Sequence, residues 1–123
     1  MICSGRDKEI QELFRVSNDV SALIDSERKS EGAALGDNQS AFARTCGDAG
    51  VKICVTERRA IENYFTDRAV KLALGQKHSA LQPFEVLKEH PNAWHKRENW
   101  RIAARMTIDE LANTDMGRFL RDF

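Results

Sequence analysis

The chain has 123 residues, a length that suits one domain with a real but modest core. Its 19 Lys and Arg balance its 19 Asp and Glu, for a formal net charge of zero. No run approaches the roughly 18 apolar residues of a membrane span, and no basic segment followed by an apolar stretch marks a signal peptide, so a cytoplasmic location is expected and a membrane partner is not. Cys3, Cys46 and Cys54 are odd in number and lack Cys-x-x-Cys spacing, which reads as reduced thiols rather than a disulfide framework. His78, His90 and His95 are spaced too irregularly to complete a zinc site.

Residues 1–3 are short and apolar, stop at Ser4-Gly5, and read as the tail of a strand that begins upstream. A helix is predicted over 7–16, where Ile10, Leu13 and Phe14 form an i, i+3, i+4 stripe. The first clear strand covers 20–25, and its near-continuous apolar character predicts burial on both faces, as in a parallel sheet. Residues 26–36 form a polar, Gly-containing loop, a mobile rim in expectation. A helix over 38–48 carries Phe42 and Cys46 at i, i+4 and closes at Gly47 or Gly50. A second β-branched strand follows at 51–55, and this strand–helix–strand order makes a parallel βαβ unit.

Beyond Thr56 the chain turns helical. Helices are predicted over 58–65, from a Thr66 cap to Leu74 with Gly75 closing it, and over 84–89 with Pro83 at its first position. Further helices follow over 99–106, after a capping box Thr107-Ile-Asp-Glu110, and after a cap at Asp115, with Phe119, Leu120 and Phe123 as apolar anchors. The fold class is therefore α/β: a small, mostly parallel sheet with flanking helices and a helical C-terminal half, in one domain over 1–123.

Two carboxylates, Asp25 and Glu27, close the first strand. If extended geometry persists to Glu27, they share a face at the sheet's C-terminal edge, where open α/β sheets bind ligands. Paired hard oxygen donors suit Mg²⁺ or Mn²⁺ and hence phosphate chemistry; the same pattern also fits a solvated turn. Between Lys52 and Arg105 basic residues exceed acidic ones by five, whereas in the first fifty residues acids exceed bases by three. That asymmetry is compatible with a nucleic-acid substrate and equally with solvated helices. Arg97, Arg101 and Arg105 fall at i, i+4, i+8 beside Trp94 and Trp100. They read either as a phosphate-tracking face with aromatics for stacking or as a solvated face whose tryptophans pack inward. Arg28 and Lys29 follow the carboxylates and read as loop residues.

After the second strand comes Arg59-Ala-Ile-Glu62-Asn63-Tyr64-Phe65. Placed one βαβ step after an Asp-x-Asp/Glu strand end, this string resembles the Toprim domain of OLD-family endonucleases, ATP-dependent nucleases of bacteria, archaea and phages. The tail, from 96–105 to Asp115-Met-Gly-Arg-Phe-Leu120, is similar too. The resemblance implies a Toprim-like fold and metal-dependent cleavage of DNA using one or two Mg²⁺ or Mn²⁺ ions. It places Asp25 and Glu27 at the paired metal-binding positions, Glu27 standing where Asp is commoner. Glu62 matches a ligand for a second metal, and Lys96 a basic residue that acts at the scissile phosphate. Read without the resemblance, Glu62 is an ion-pair partner of Arg58 or Arg59, Asn63 a cap or turn partner, and Tyr64 a packing residue with its hydroxyl at a polar edge. The family's first strand, its helix and the glutamate ending that strand have no counterpart, since Glu9 and Glu12 sit in a predicted helix; neither has the family's ATPase. The chain thus reads as truncated at its N-terminus, with an ATPase subunit or domain supplied separately. An exposed sheet edge would invite a homodimer, and a non-catalytic DNA- or protein-binding module from a phage or defence system is the alternative.

Overall fold

The structure is a computed structural model that describes residues 20–122. The strand tail expected at 1–3, the helix over 7–16 and the Phe123 anchor lie outside those residues.

Two short strands, β1 (Ser21–Ile24) and β2 (Lys52–Val55), pair in parallel, with Ser21 opposite Lys52 and Ile24 opposite Val55. The connection between them carries helix α1 (Asp37–Asp48), so the βαβ unit forms as expected. Phe42 and Cys46, one turn apart on α1, are fully buried against Ala22, Ile24 and Val51. Burying one such phenylalanine contributes about 2–3 kcal/mol. Leu23, on the opposite face of β1, stays partly exposed, so the expected burial on both faces holds for only one. Of the two candidate closing glycines, Gly47 lies inside α1 and Gly50 makes the turn, at φ 79°. Val51 N–H then bonds back to Cys46 O at 2.8 Å and launches β2.

The C-terminal half is helical. Among the described residues it holds α2 (Asp67–Leu74), α3 (Asn99–Ala103), α4 (Ile108–Leu111) and α5 (Asp115–Arg121). Three 3₁₀ turns, Ile61–Tyr64, Leu87–Glu89 and Lys96–Glu98, punctuate it. Phe65, Val70, Leu81, Leu87, Trp94 and Ile102 form a second core, separate from that under the sheet. Thr66 caps α2 by accepting from Ala69 N–H, and the Thr107–Glu110 capping box is complete.

Several boundaries differ from the sequence expectation, each for a local reason. The helix expected over 58–65 shrinks to one 3₁₀ turn because Ala60 is extended, at φ −156° and ψ 173°, and the amides around it bond to tertiary partners. Arg58 N–H donates to the Tyr64 hydroxyl, Arg59 N–H to Pro83 O and Ile61 N–H to Asp25 Oδ1. The helix expected over 84–89 is reduced to Leu87–Glu89. The Asn63 amide donates to Gln82 O at 2.7 Å and Glu85 O at 2.9 Å, so Glu89 N–H turns to Val86 O instead of the Glu85 carbonyl. The helix expected over 99–106 tightens after Ala103 into bonds from Arg105 N–H to Ile102 O and Met106 N–H to Ala103 O. Thr114, not Asp115, caps α5, accepting from Gly117 N–H at 3.0 Å. Gly117 is fixed by close approach: a Cβ there would stand 1.8 Å from Leu111 O, so α5 can lie on the end of α4 only with glycine.

Candidate functional site

The C-terminal ends of the parallel strands converge with the 3₁₀ turn Ile61–Tyr64, bringing acidic residues from distant parts of the chain together. Asp25 directly follows β1 and is 5% exposed. Its Oδ1 accepts from Ile61 N–H at 3.0 Å. Burial pushes its carboxyl above the usual range and the nearby Glu62 and Glu27 add to this, while the Ile61 amide and Lys96 oppose it. Glu62 is also 5% exposed. Its Oε1 lies 3.4 Å from the Lys96 ammonium, and its Oε2 accepts weakly from the Asn99 amide at 3.5 Å. The partner of Glu62 is therefore Lys96, not Arg58 or Arg59.

Glu27 behaves differently from the expectation. The strand stops at Ile24, and Glu27 sits in the left-handed region at φ 58°, so no extended backbone aligns it with Asp25. Its N–H donates to Arg59 O at 2.8 Å and its carboxylate pairs with the Arg59 guanidinium at 3.1 Å. Of the two other carboxylates, Glu62 raises Asp25 more than Glu27 does. The buried acidic pair is thus Asp25 with Glu62, and Glu27 stands at the rim.

A cleft of about 470 Å³ opens beside these residues, lined by Glu27, Arg59, Glu62, Lys88, His95 and Lys96. An apolar wall of Ala60, Val86, Leu87 and Trp94 completes it. From the sequence Arg59 reads only as an ion-pair residue, His95 only as a histidine too irregularly spaced for zinc, and Lys88 is not singled out. No local pattern marks His95 or Lys88, because the 3₁₀ turns at Leu87–Glu89 and Lys96–Glu98 bring them to the rim. His95 Nδ1 accepts from Arg97 N–H at 3.1 Å, which leaves Nε2–H as the ring's donor.

The Ile-Glu-Asn-Tyr string is a junction. Ile61 N–H holds Asp25, Glu62 faces the cleft, Asn63 fixes the 82–85 segment, and the Tyr64 hydroxyl donates to Asp115 Oδ1 at 2.6 Å. Arg58 stacks its guanidinium 4.9 Å above the Tyr64 ring and donates to Asn63 O. Behind the site, Ser26 N–H donates to Thr56 Oγ1, and Arg28 donates to Ala33 O and Thr56 O. The root of the 26–36 loop is therefore tied to the end of β2, and Arg28 is a structural strut. Nearby, His90 presents Nδ1 to Glu85 Oε2 at 2.6 Å and Nε2 to Ser79 O at 3.0 Å and Ser79 Oγ at 3.1 Å. That carboxylate–imidazole–hydroxyl order resembles a hydrolytic triad. With a carboxylate on one ring nitrogen and the Ser79 carbonyl on the other, the ring instead clamps the 79–90 loop.

Arg97, Arg101 and Arg105 do not share one helix, since α3 spans only Asn99–Ala103 with Arg97 in the preceding 3₁₀ turn and Arg105 beyond the C-cap. Arg101 is committed to Glu98 at 2.8 Å and Ala73 O at 2.9 Å. The two tryptophans divide: Trp94 is buried with its indole N–H on Asn99 Oδ1, and Trp100 is exposed.

For a hard divalent ion the donor chemistry is right: Asp25 and Glu62 supply carboxylate oxygens in a partly desolvated site, with Glu27 balanced by Arg59 and Glu62 by Lys96. Among the described residues no group of three or more His, Cys, Asp and Glu is arranged to hold a metal. Mg²⁺ asks for less, since it commonly takes one or two carboxylates and completes its shell with water and substrate phosphate. Asp25 and Glu62 are the two buried carboxylates such an ion would use, while Glu27 is committed to Arg59. No helix among the described residues is long and apolar enough to cross a membrane. No protein-family model matches the chain, and no curated protein or solved structure matches it.

Proposed function

We propose that the cleft is a Toprim-like site for metal-dependent cleavage of phosphodiester bonds in DNA. One observation carries the reading: Asp25 and Glu62, separated along the chain, bury their carboxylates together at the C-terminal edge of a parallel sheet, under a rim of Arg59, Lys88 and Lys96. In this reading Asp25 and Glu62 would hold one Mg²⁺ or Mn²⁺, with Glu27 held by Arg59 at the rim. Such an ion supplies an activated water and neutralises charge on the phosphate. Ile61 N–H orients Asp25, and Asn99 orients Glu62. Lys96, exposed beside Glu62, exchanges that partner for a phosphate oxygen and balances the charge that develops there. Arg59 and Lys88 hold neighbouring phosphates, and the Val86–Leu87–Trp94 wall receives sugar or base. A separately supplied ATPase and pairing of two copies through a sheet edge belong to the same proposal.

A second reading has its own support. Lys96 already pairs with Glu62 and Arg59 with Glu27, an internally compensated arrangement that suits a non-catalytic binding module. Supercoiled plasmid with Mn²⁺ separates the two. The nuclease reading expects nicking that falls about 100-fold or more in Asp25→Asn and Glu62→Gln, together with Mn²⁺ binding by calorimetry that both substitutions abolish. A wild-type chain that neither nicks nor binds Mn²⁺ overturns it in favour of the binding module.

A further inference from the structure

Trp100 is 69% exposed, whereas the other tryptophan, Trp94, is 8% exposed. Trp100 therefore offers a large aromatic face to solvent, and its surroundings decide what that face could take. Trp100 forms one side of a shallow slot of about 290 Å³, with Ala73 and Ala104 as small apolar neighbours and Arg101 and Arg105 completing the lining. The small alanines leave room beside the indole for a planar group.

The charge around the slot is cationic. Arg97, Arg101 and Arg105 occur in this stretch with one acid, Glu98. Arg101 is held in place by Glu98 and by Ala73 O, so it forms a fixed wall rather than a mobile chain. Arg105 is anchored through its carbonyl, which accepts from Arg68, and its guanidinium has no ion-pair partner among the described residues. Together these supply a flat apolar surface, one positioned guanidinium and one uncommitted guanidinium. An apolar protein partner would have no use for the cations, and an acidic peptide would have none for the indole. A nucleotide uses both, its base on the ring and its phosphate on the arginine. Duplex DNA keeps its bases stacked inside, so only an unpaired strand can present a base to Trp100.

We propose that Trp100, with Arg101 and Arg105, forms a stacking slot for single-stranded DNA, distinct from the acidic cleft. The segment 96–105 runs from Lys96 on the cleft rim to Arg105 in the slot. The slot does not depend on the metal reading, because none of its residues touches Asp25 or Glu62.

Trp100 is the exposed tryptophan, so its fluorescence reports on the slot directly. Titration of the full chain with an oligo-dT strand is expected to quench emission and to protect it from acrylamide. Trp100→Ala should weaken binding by roughly 5- to 100-fold, and Trp100→Phe should restore most of it. Arg105→Ala should lower the slope of log affinity against log salt by about 0.7. Asp25→Asn, which disables the proposed cleft chemistry, should leave quenching intact, so failure of the nuclease reading and failure of the slot are distinguishable. The slot is overturned if circular dichroism shows Trp100→Ala folded and it binds oligo-dT as tightly as wild type. Equal binding of a blunt duplex of the same length, or an Arg105→Ala slope unchanged from wild type, also overturns it.

Discussion

Glu110 shows how much a single side chain can organise. Its carboxylate completes the capping box with Thr107, accepts from the Thr66 hydroxyl at 2.6 Å and takes a two-pronged contact from Arg68. These donors, Arg68 first, hold its carboxyl well below the usual carboxylate range. The sign of the linkage follows. In the unfolded chain Glu110 protonates near the ordinary glutamate value of about 4.3, while in the folded chain it stays ionised to lower pH. Its contribution is complete above that value and is lost as pH falls below it toward the depressed one. The melting temperature of the wild type should therefore drop more steeply below about pH 4.5 than that of Glu110→Gln; parallel curves would show that the contacts carry no net stability. Cys54 is a case of the opposite sign. Burial, then Asp115 at 3.8 Å, pushes its thiol up to about 11, which makes it a slow nucleophile at neutral pH.

Between elements, the decisive contacts come from residues whose local signals are weak. Gly117→Ala is expected to cost about 3 kcal/mol, because the added methyl meets the Leu111 carbonyl and must push α5 off α4. A chemical denaturation midpoint unchanged from wild type would reject that packing. The same distinction governs what the sequence made legible. The Thr66 cap with its Gly75 close and the Thr107 capping box were readable because each rests on residues close in sequence, and the parallel pair because strand–helix–strand order implies it. The helices expected over 58–65 and 84–89 shorten to 3₁₀ turns where Ala60 is extended and where Asn63 holds the Gln82 and Glu85 carbonyls from 19 and 22 positions away, contacts that no window of local propensity contains. The site divides the same way. Asp25, Glu62 and Lys96 were marked by strand ending and motif, and the structure groups them. The pairing of Glu27 with Arg59, and the arrival of Lys88 and His95, depend on turns that only the folded chain specifies.

At the scale of the whole molecule, two cores are joined by polar contacts. Asp115, the first residue of α5, accepts from the Tyr64 hydroxyl, from Glu57 N–H at 3.0 Å and from the Cys54 thiol, tying the last helix to the end of β2 and to the 3₁₀ turn. Tyr64→Phe removes one donor to a carboxylate and the acceptor of Arg58 N–H, and should cost about 2 kcal/mol. A double-mutant cycle with Asp115→Asn should return a coupling of about 1 kcal/mol or more; additivity within error would mean the two cores are held by something else. The junction at Ile61–Tyr64 also bears on the route by which the chain reaches its native form. Asp25 meets Ile61 across 36 positions of chain, and Tyr64 meets Asp115 across 51. Closing such loops loses entropy before any contact rewards it. Helix α2 draws on neighbouring residues, whereas the acidic pair needs the closure that joins Asp25 to the Ile61–Tyr64 turn. The acidic cleft is therefore a property of the closed chain: its cations and carboxylates lie far apart in sequence and meet only when these distant segments do.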